Sequence, residues 1–169
     1  MKKIFLSSAL LLSSFSLVAE NPKPTPQLDS VNDFSFYDMK GKTHHFSDYK
    51  GKWVLVNYWA TYCPPCRDEI PDIERFAKNN RDKIVVLGMD AGGSEPAEIE
   101  AFKKEFDITY PLIPAQESTL LAFGLIMGIP TSFIITPKGK IVDKYVGIIT
   151  YDDIDYYVNP PILKAALAD

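Results

Sequence analysis

Two cysteines, Cys63 and Cys66, are the residues of this 169-residue chain whose type and spacing could carry chemistry. They are the only cysteines in the sequence, and they stand in the CxxC arrangement Cys63-Pro64-Pro65-Cys66. A CxxC pair that follows a buried strand and opens a helix is typical of a redox-active dithiol. In such a pair the first thiolate attacks a disulfide, and the second thiol displaces the mixed disulfide that forms.

Three other uses of the cysteine pair are weaker. A structural crosslink over so short a loop would stabilise the fold by only about 2 kcal/mol before strain is subtracted. A zinc site would need His44 and His45 as further ligands, but neighbouring residues of a strand point to opposite faces. Covalent haem attachment needs a histidine directly after the second cysteine, where this chain has Arg67. We therefore expect thiol chemistry without a metal and without a cofactor.

The helix start should make the two cysteines unequal. Cys63 meets the positive end of the helix dipole, which lowers the pKa of its thiol, so we expect it to be exposed and to attack. Cys66 lies one turn further on and should be buried and resolve the mixed disulfide. Pro64 and Pro65 have no N–H, so two donors that a helix start normally offers an anion are missing. A poorly stabilised thiolate makes the disulfide harder to reduce, which predicts a reductant of other disulfides.

The apolar pattern indicates the elements that position the cysteines. Residues 53–59 are a nearly continuous apolar run, which predicts a strand that is buried on both faces and leads to Cys63. Further strands are predicted at 34–38 and 43–46, which form a hairpin, and at 84–89, 132–136 and 141–146. Helices are predicted after Cys66, after an N-cap at Ser94, and over residues 151–168 with a break at Pro160 and Pro161. This order predicts an α/β fold, a three-layer sandwich with a mixed sheet.

The N-terminal segment has a different character. Residues 1–19 carry two lysines, an apolar stretch and a terminal alanine, which is the pattern of a secretory signal peptide. An uncleaved membrane anchor is the alternative, although the apolar stretch is short of the roughly 20 residues that a spanning helix needs. Residues 20–30 alternate proline with polar residues and predict an extended tether, so we expect the folded domain to occupy residues 31–169.

Composition limits the partners. The sequence is 46% hydrophobic and 24% charged, which suits one globular domain. Eighteen Lys and Arg against 22 Asp and Glu give a formal net charge of -4, and no cluster of basic residues could neutralise several phosphates. We therefore expect no nucleic-acid partner.

Two segments and one proline carry a resemblance to a known family. The segments VLVNYWATYCPPCRDE (residues 54–69) and GIPTSF (residues 128–133), with Pro71 between them, resemble the secreted TlpA/ResA-like branch of the thioredoxin family. The resemblance implies a thioredoxin fold with an added N-terminal hairpin and an insertion around residues 90–112. It also implies an extracytoplasmic thiol-disulfide oxidoreductase that acts on protein disulfides or thiols and receives electrons from a membrane protein.

The same resemblance assigns roles beyond the cysteines. It implies a cis bond between Ile129 and Pro130 beside the cysteines, with Ile129 contacting the attacked disulfide. The preceding backbone would then be free to pair with an extended client segment. Separately, we expect Trp59 to be a wall of the substrate site and not part of a ligand cage. Where the family usually has tryptophan before the first cysteine, this chain has Tyr62.

Glu69 matches a functional glutamate of the family, three residues after Cys66. Two interpretations remain open from the sequence. Glu69 could lie on the same helical face as Cys66 and carry the proton of the resolving thiol. Alternatively, it could be a solvated first-turn carboxylate that complements the helix dipole, as Asp68 and Glu74 could be. Asn57 replaces the buried acid that thioredoxin itself carries six residues before the first cysteine.

The sequence thus predicts a secreted or periplasmic enzyme that reduces protein disulfides through a Cys63/Cys66 cycle, for example in cytochrome c maturation. Within the enzyme class, the alternative is a disulfide-donating oxidase or isomerase. From another class, the alternative is a non-catalytic binding or chaperone module with a thioredoxin-like fold.

Overall fold

The structure, a computed structural model, describes residues 30–160. The predicted signal peptide, nearly all of the predicted tether and the last part of the predicted terminal helix lie outside the described residues. Within residues 30–160, no helix has the length and apolar character that crossing a membrane requires.

The first element is the hairpin that the sequence predicts. It consists of β1 (Ser35–Tyr37) and β2 (Thr43–His45), which pair antiparallel, and a short 3-10 helix (Phe46–Tyr49) follows. The Asp38 carboxylate accepts the N–H groups of Lys40 and Lys42, and Gly41 supplies the positive φ of 75° that the turn needs.

A mixed five-stranded sheet forms the centre of the molecule. Its strands are β3 (Trp53–Trp59), β4 (Ile84–Asp90), β5 (Leu112–Ile113), β6 (Thr131–Ile135) and β7 (Ile141–Val146). Their order in the sheet is β5-β4-β3-β6-β7, with β3 parallel to β4 and antiparallel to β6. The central strand, β3, is the one that leads to the cysteines, and its bounds are those predicted.

Alternation along β3 assigns its side chains to two different cores. Leu55 and Trp59 belong to the core beneath the helices, whereas Val54, Val56 and Tyr58 belong to the core beneath the hairpin. All of these side chains are at most 2% exposed, so the prediction of a strand covered on both faces is confirmed.

Three helices cover one face of the sheet. They are α1 (Pro64–Asn79), α2 (Pro96–Glu105) and α4 (Tyr151–Val158). The buried side chains that they contribute recur at helical spacing: Ile70, Ile73 and Phe76 from α1, Ile99 and Phe102 from α2, and Ile154 and Val158 from α4. A short helix, α3 (Glu117–Leu121), lies on the opposite face. The opposite face is covered by the hairpin and by the segment around α3, so the predicted three-layer α/β sandwich is confirmed.

Three details differ from the sequence prediction. α2 begins at Pro96 with Glu95 as its N-cap, so the N-cap at Ser94 is wrong. The reason is that Glu98 accepts the N–H of Glu95, while the Asp90 carboxylate takes both hydrogens of Ser94. In addition, β5 and α3 were not predicted, since two and five residues are too short to show a period.

The described chain enters the fold at one end of the sheet. Ser30 forms a bridge with Lys140, and the N–H of Val31 donates to Gly139 in the turn between β6 and β7. The end of β6 at Ile135 lies opposite Val54 at the start of β3, whereas Cys63 follows the far end of β3. Ser30, the first described residue, and the cysteines therefore lie at opposite ends of the sheet.

Candidate active site

Cys63 and Cys66 form a disulfide at the N-terminus of α1, with their Cα atoms 5.3 Å apart. Cys63 is the N-cap of the helix, and Pro64 and Pro65 occupy its first two positions. Proline suits these positions because its φ is already helical. Of the first three helical residues only Cys66 has an N–H, and this group lies 3.3 Å from Cys63 Sγ, to which it donates. The sulfur of Cys63 therefore sits at a helix start that is poor in donors, as predicted.

The two cysteines differ less in exposure than predicted. Cys66 is fully buried, as expected, but Cys63 is only 5% exposed, so the expectation of an exposed Cys63 is wrong for this disulfide form. The physical reason is that Cys63 packs into the core beneath the helices, which also holds Ala60 and Ile70. Cys63 thus offers a client disulfide a small accessible surface, and Cys66 offers none.

Glu69 is a buried acid with defined partners. Its side chain is 1% exposed; Asn57 Nδ2 donates to one carboxylate oxygen at 2.6 Å and the N–H of Ile149 donates to the other at 2.9 Å. Burial raises the pKa of Glu69 from its ordinary 4.5 to about 7, although the two hydrogen bonds act in the opposite direction. The interpretation of Glu69 as a solvated carboxylate is therefore wrong. An acid that gains and loses its proton near neutral pH lies one helical turn beyond the resolving cysteine.

Asn57 connects Glu69 to the neighbouring strand. Its Nδ2 also donates to Ser132 Oγ at 3.0 Å, and Ser132 is its partner in the β3–β6 ladder. Asn57 shares a face of β3 with Leu55 and Trp59, which is the face that α1 covers. Neither Ser132 nor Ile149 was predicted as part of the site, because both lie at least 75 residues from their partners. Asn57 itself was singled out only by the family resemblance, as the residue in place of a buried acid; its position within an apolar strand was a further signal.

The structure places Trp59 below the surface of the site. Its ring is 2% exposed and stacks on Phe102 with a centroid distance of 4.5 Å, whereas the sequence analysis predicted that Trp59 contacts substrate. Its indole Nε1 finds no hydrogen-bond partner within residues 30–160. The aromatic residue that solvent reaches beside Cys63 is Tyr62, which is 70% exposed.

The Ile129–Pro130 bond is cis, as the resemblance implied. β6 starts directly after it, and the first residue of β6, Thr131, pairs with Tyr58 near the end of β3. The cis bond therefore lies at the end of the sheet from which the chain runs to Cys63. Ile129 is half-buried and packs against both cores, while Pro130 is buried.

The two histidines lie in the hairpin and have different partners. His44 Nε2 is 3.1 Å from Asp38 Oδ2, and His45 Nδ1 is 3.0 Å from Ser35 Oγ. The hydrogen bond to His44 is the main reason why the pKa of Asp38 falls to about 2. Among the residues that the structure describes, no three His, Cys, Asp or Glu side chains come together as a metal site would require.

A disulfide at the first turn of a helix, placed after the central strand of a mixed sheet and at the same end of that sheet as a cis-proline, defines a class of protein. This is a thioredoxin-fold thiol:disulfide oxidoreductase. More particularly, the chain belongs to the AhpC/TSA family, which its residues 28–144 match.

Named relatives agree with this class. The thioredoxin-like protein YneN of Bacillus subtilis (strain 168) is 34% identical over 125 residues, which are 73% of each chain. The thiol-disulfide oxidoreductase ResA of Geobacillus thermodenitrificans (strain NG80-2) is 33% identical over 130 residues, 75% of this chain and 73% of ResA. Among solved structures, an exposed lipoprotein thioredoxin of Streptococcus pneumoniae strain TIGR4 is 30% identical with a TM-score of 0.65, over 75% of this chain and 98% of that chain.

Proposed function

We propose that this oxidoreductase works outside the cytoplasm as a reductant of protein disulfides. The observation that carries the direction is the helix start at Cys63, where two prolines leave Cys66 N–H as the first available backbone donor. A thiolate that receives few hydrogen bonds is a less stable form of the reduced protein, so the dithiol gives up its electrons more readily. The potential should therefore lie nearer to about -250 mV than to the roughly -120 mV of a strong oxidant.

The proposed reaction consists of two exchanges. In the reduced enzyme, the Cys63 thiolate attacks one sulfur of the client disulfide, and the other client sulfur leaves as a thiolate. The Cys66 thiolate then attacks Cys63 Sγ, which breaks the mixed disulfide and releases the second client thiolate. The client gains two electrons and takes up two protons, and the enzyme is left with the Cys63–Cys66 disulfide. A dithiol donor must return two electrons before the next cycle.

Glu69 supplies the proton acceptor for the second exchange. Cys66 attacks only as a thiolate, yet its side chain is fully buried and no water reaches it directly. Glu69 is buried on the same helix, and its pKa of about 7 leaves it partly ionised at neutral pH. The carboxylate accepts the Cys66 proton, and Asn57 and Ile149 hold it in place.

Client chains would bind beside the cis-proline. Pro130 has no N–H, and an extended client segment can pair with the backbone before it as an added strand. Ile129 would contact the attacked disulfide. The residues that precede this bond include Leu125 and Met127, which are 77% and 82% exposed and offer apolar contacts. Trp59 would support this surface from below.

The N-terminal segment supports a location outside the cytoplasm, and this location decides where the electrons come from. Residues 1–19 would direct export as a signal peptide, residues 20–30 would form a tether, and residues 31–169 would act as the soluble thioredoxin-like domain. A relative described as an exposed lipoprotein supports this location. Outside the cytoplasm, the reducing equivalents would come from a membrane protein that carries a dithiol. Cytochrome c precursors, whose cysteines must be reduced before haem attachment, are one proposed client class.

Trapping separates the proposal from its rivals. A Cys66→Ser variant should accumulate mixed disulfides with clients in cells, because the resolving thiol is gone, and mass spectrometry would identify them. The Cys63→Ser variant is the matched control and should trap none. Insulin reduction by the wild type, together with a potential near about -250 mV, would support a reductase. A potential near about -120 mV would favour the oxidase or isomerase. If no mixed disulfide is trapped and insulin is reduced no faster than the background rate, a non-catalytic binding module would be favoured.

A further inference from the structure

A buried carboxylate outside the reaction path organises the loop beside the active site. Asp90 ends β4 and is fully buried, and its register partner is Trp59, which ends β3. Its carboxylate accepts the N–H of Gly92 at 3.1 Å, the N–H of Ser94 at 2.7 Å and the hydroxyl of Ser94 at 3.1 Å. All three hydrogen bonds go to the loop of residues 91–94, so the buried charge fixes the conformation of this loop.

The 91–94 loop lies directly against the turn that leads to Cys63. The N–H of Ala91 donates to the carbonyl of Trp59 at 2.8 Å, which continues the β3–β4 pairing by one bond. Ser94 Oγ lies 3.3 Å from Thr61 Oγ1. Since the two loops leave adjacent parallel strands at the same end of the sheet, each restricts the position of the other.

Gly92 is the point of closest approach. A Cβ added at Gly92 would lie 2.7 Å from the Cβ of Ala60 and 2.9 Å from Cε1 of Tyr62, closer than non-bonded carbons can come. The φ angle of Gly92 is not in the left-handed region, so this position needs glycine for space and not for conformation. The edge of the Tyr62 ring therefore rests on the backbone of Gly92, while 70% of the residue remains exposed beside Cys63.

We infer that Asp90 and Gly92 are positioning residues for client recognition. They hold Tyr62 in one place, and the exposed ring forms a wall against which the client residues next to the target disulfide pack. The clients favoured by such a wall are proteins whose disulfide is flanked by apolar or aromatic side chains, because the open ring surface offers dispersion and stacking contacts. This inference rests on the proposed reduction of protein disulfides.

The test compares a protein substrate with a substrate too small to touch the wall. Rates of reduction of insulin and of hydroxyethyl disulfide are measured for the wild type and for Gly92→Ala, whose added methyl group would clash with Ala60 and with the ring of Tyr62. Since Ala60 is buried and the Tyr62 ring is exposed, the ring should move more easily. We expect the insulin rate to fall about tenfold and the hydroxyethyl disulfide rate to change less than about twofold. Gly93→Asn, in the same loop, is the matched control: Gly93 has open space around it, and asparagine tolerates its positive φ of 67°, so both rates should stay near those of the wild type.

A double-mutant cycle shows whether the effect passes through the ring. In a Tyr62→Ala background, the effect of Gly92→Ala on insulin should shrink to less than about twofold. If Gly92→Ala does not fold, Ser94→Ala replaces it; this variant removes the hydroxyl contacts to Asp90 and Thr61 without adding volume and should slow insulin reduction alone, by about threefold.

The outcomes separate this inference from the proposed function. If the wild type reduces neither substrate, the proposed function fails, and the inference fails with it. If the wild type reduces both, three results overturn the inference alone: equal slowing of both substrates, no slowing of either, or an effect that persists at full size with alanine at position 62. Equal slowing would mean that the loop acts on Cys63 itself.

Discussion

Replacing Glu69 with glutamine should make the protein more stable above neutral pH and less active at the same time. Between pH 4.5 and about 7, Glu69 is protonated in the folded protein but ionised in the unfolded chain. The folded state then binds more protons, so the free energy of unfolding falls as the pH rises through this window. The pKa of Glu69 is higher by about 2.5 in the folded than in the unfolded state, which corresponds to about 3 kcal/mol of unfolding free energy. The wild type has lost this contribution above pH 7.

Glutamine removes this loss because it does not titrate. A carboxamide resembles the neutral carboxyl group in shape: its oxygen accepts the N–H of Ile149, and its NH2 group donates to Asn57 once the Asn57 side chain turns to present its oxygen. The Glu69→Gln variant should therefore match the wild type at pH 4 and exceed it by about 3 kcal/mol at pH 8. Urea denaturation of both disulfide forms across this range measures the difference.

The same substitution should slow the release of the second client thiol. Without a carboxylate to accept the Cys66 proton, we expect the second exchange to be about a hundredfold slower at pH 7, and the inflection of the rate near that pH to disappear. Single-turnover mixing of the reduced enzyme with a client disulfide from pH 6 to 9 measures this step.

Glu74 provides a matched control within the same helix. It is also buried, but Thr109 donates to both of its carboxylate oxygens and Lys78 lies 3.1 Å away. Glu74→Gln breaks these contacts and should destabilise the protein by about 1–3 kcal/mol without changing the pH dependence of the second exchange. Our reasoning about Glu69 would be refuted by unchanged rates across neutral pH in Glu69→Gln, or by a variant that is less stable than the wild type at pH 8.

Two further predictions concern the cysteines. Pro65→Ala adds an N–H beside the Cys63 sulfur and should stabilise its thiolate. The reduction potential, measured in equilibrium with glutathione, should therefore rise by about 30–60 mV. A potential that stays the same or becomes more negative would contradict the role given to the prolines. In the reduced, folded protein, iodoacetamide should modify Cys63 at least about ten times faster than fully buried Cys66, as peptide masses over time would show, and equal rates would mean that the two thiols are not differentiated.

Local patterns were sufficient to predict the elements that carry the cysteines. The apolar run of β3 was predicted with its observed bounds, because a strand buried on both faces is marked by its own residues. The helix that the cysteine pair opens was predicted because a CxxC motif directly after a buried strand is a local signal. β5 and α3 gave no such signal, since they exist through pairing and packing with distant segments.

The burial and the hydrogen-bond partners of the site residues could not be predicted from local sequence patterns. A glutamate in the first part of a helix is usually solvated, and only the fold shows that Glu69 is covered and reached by a backbone N–H 80 residues away. The burial of Trp59 likewise depends on α2, whose Phe102 stacks on it. The sequence therefore identified which side chains matter but not what surrounds them.

The bridge between Ser30 and Lys140 has a practical meaning for anything joined to this domain ahead of it. A bead, a dye or a fused carrier attached at Ser30 would lie at the end of the sheet opposite the disulfide. It would therefore leave the end that carries the disulfide open to incoming substrates.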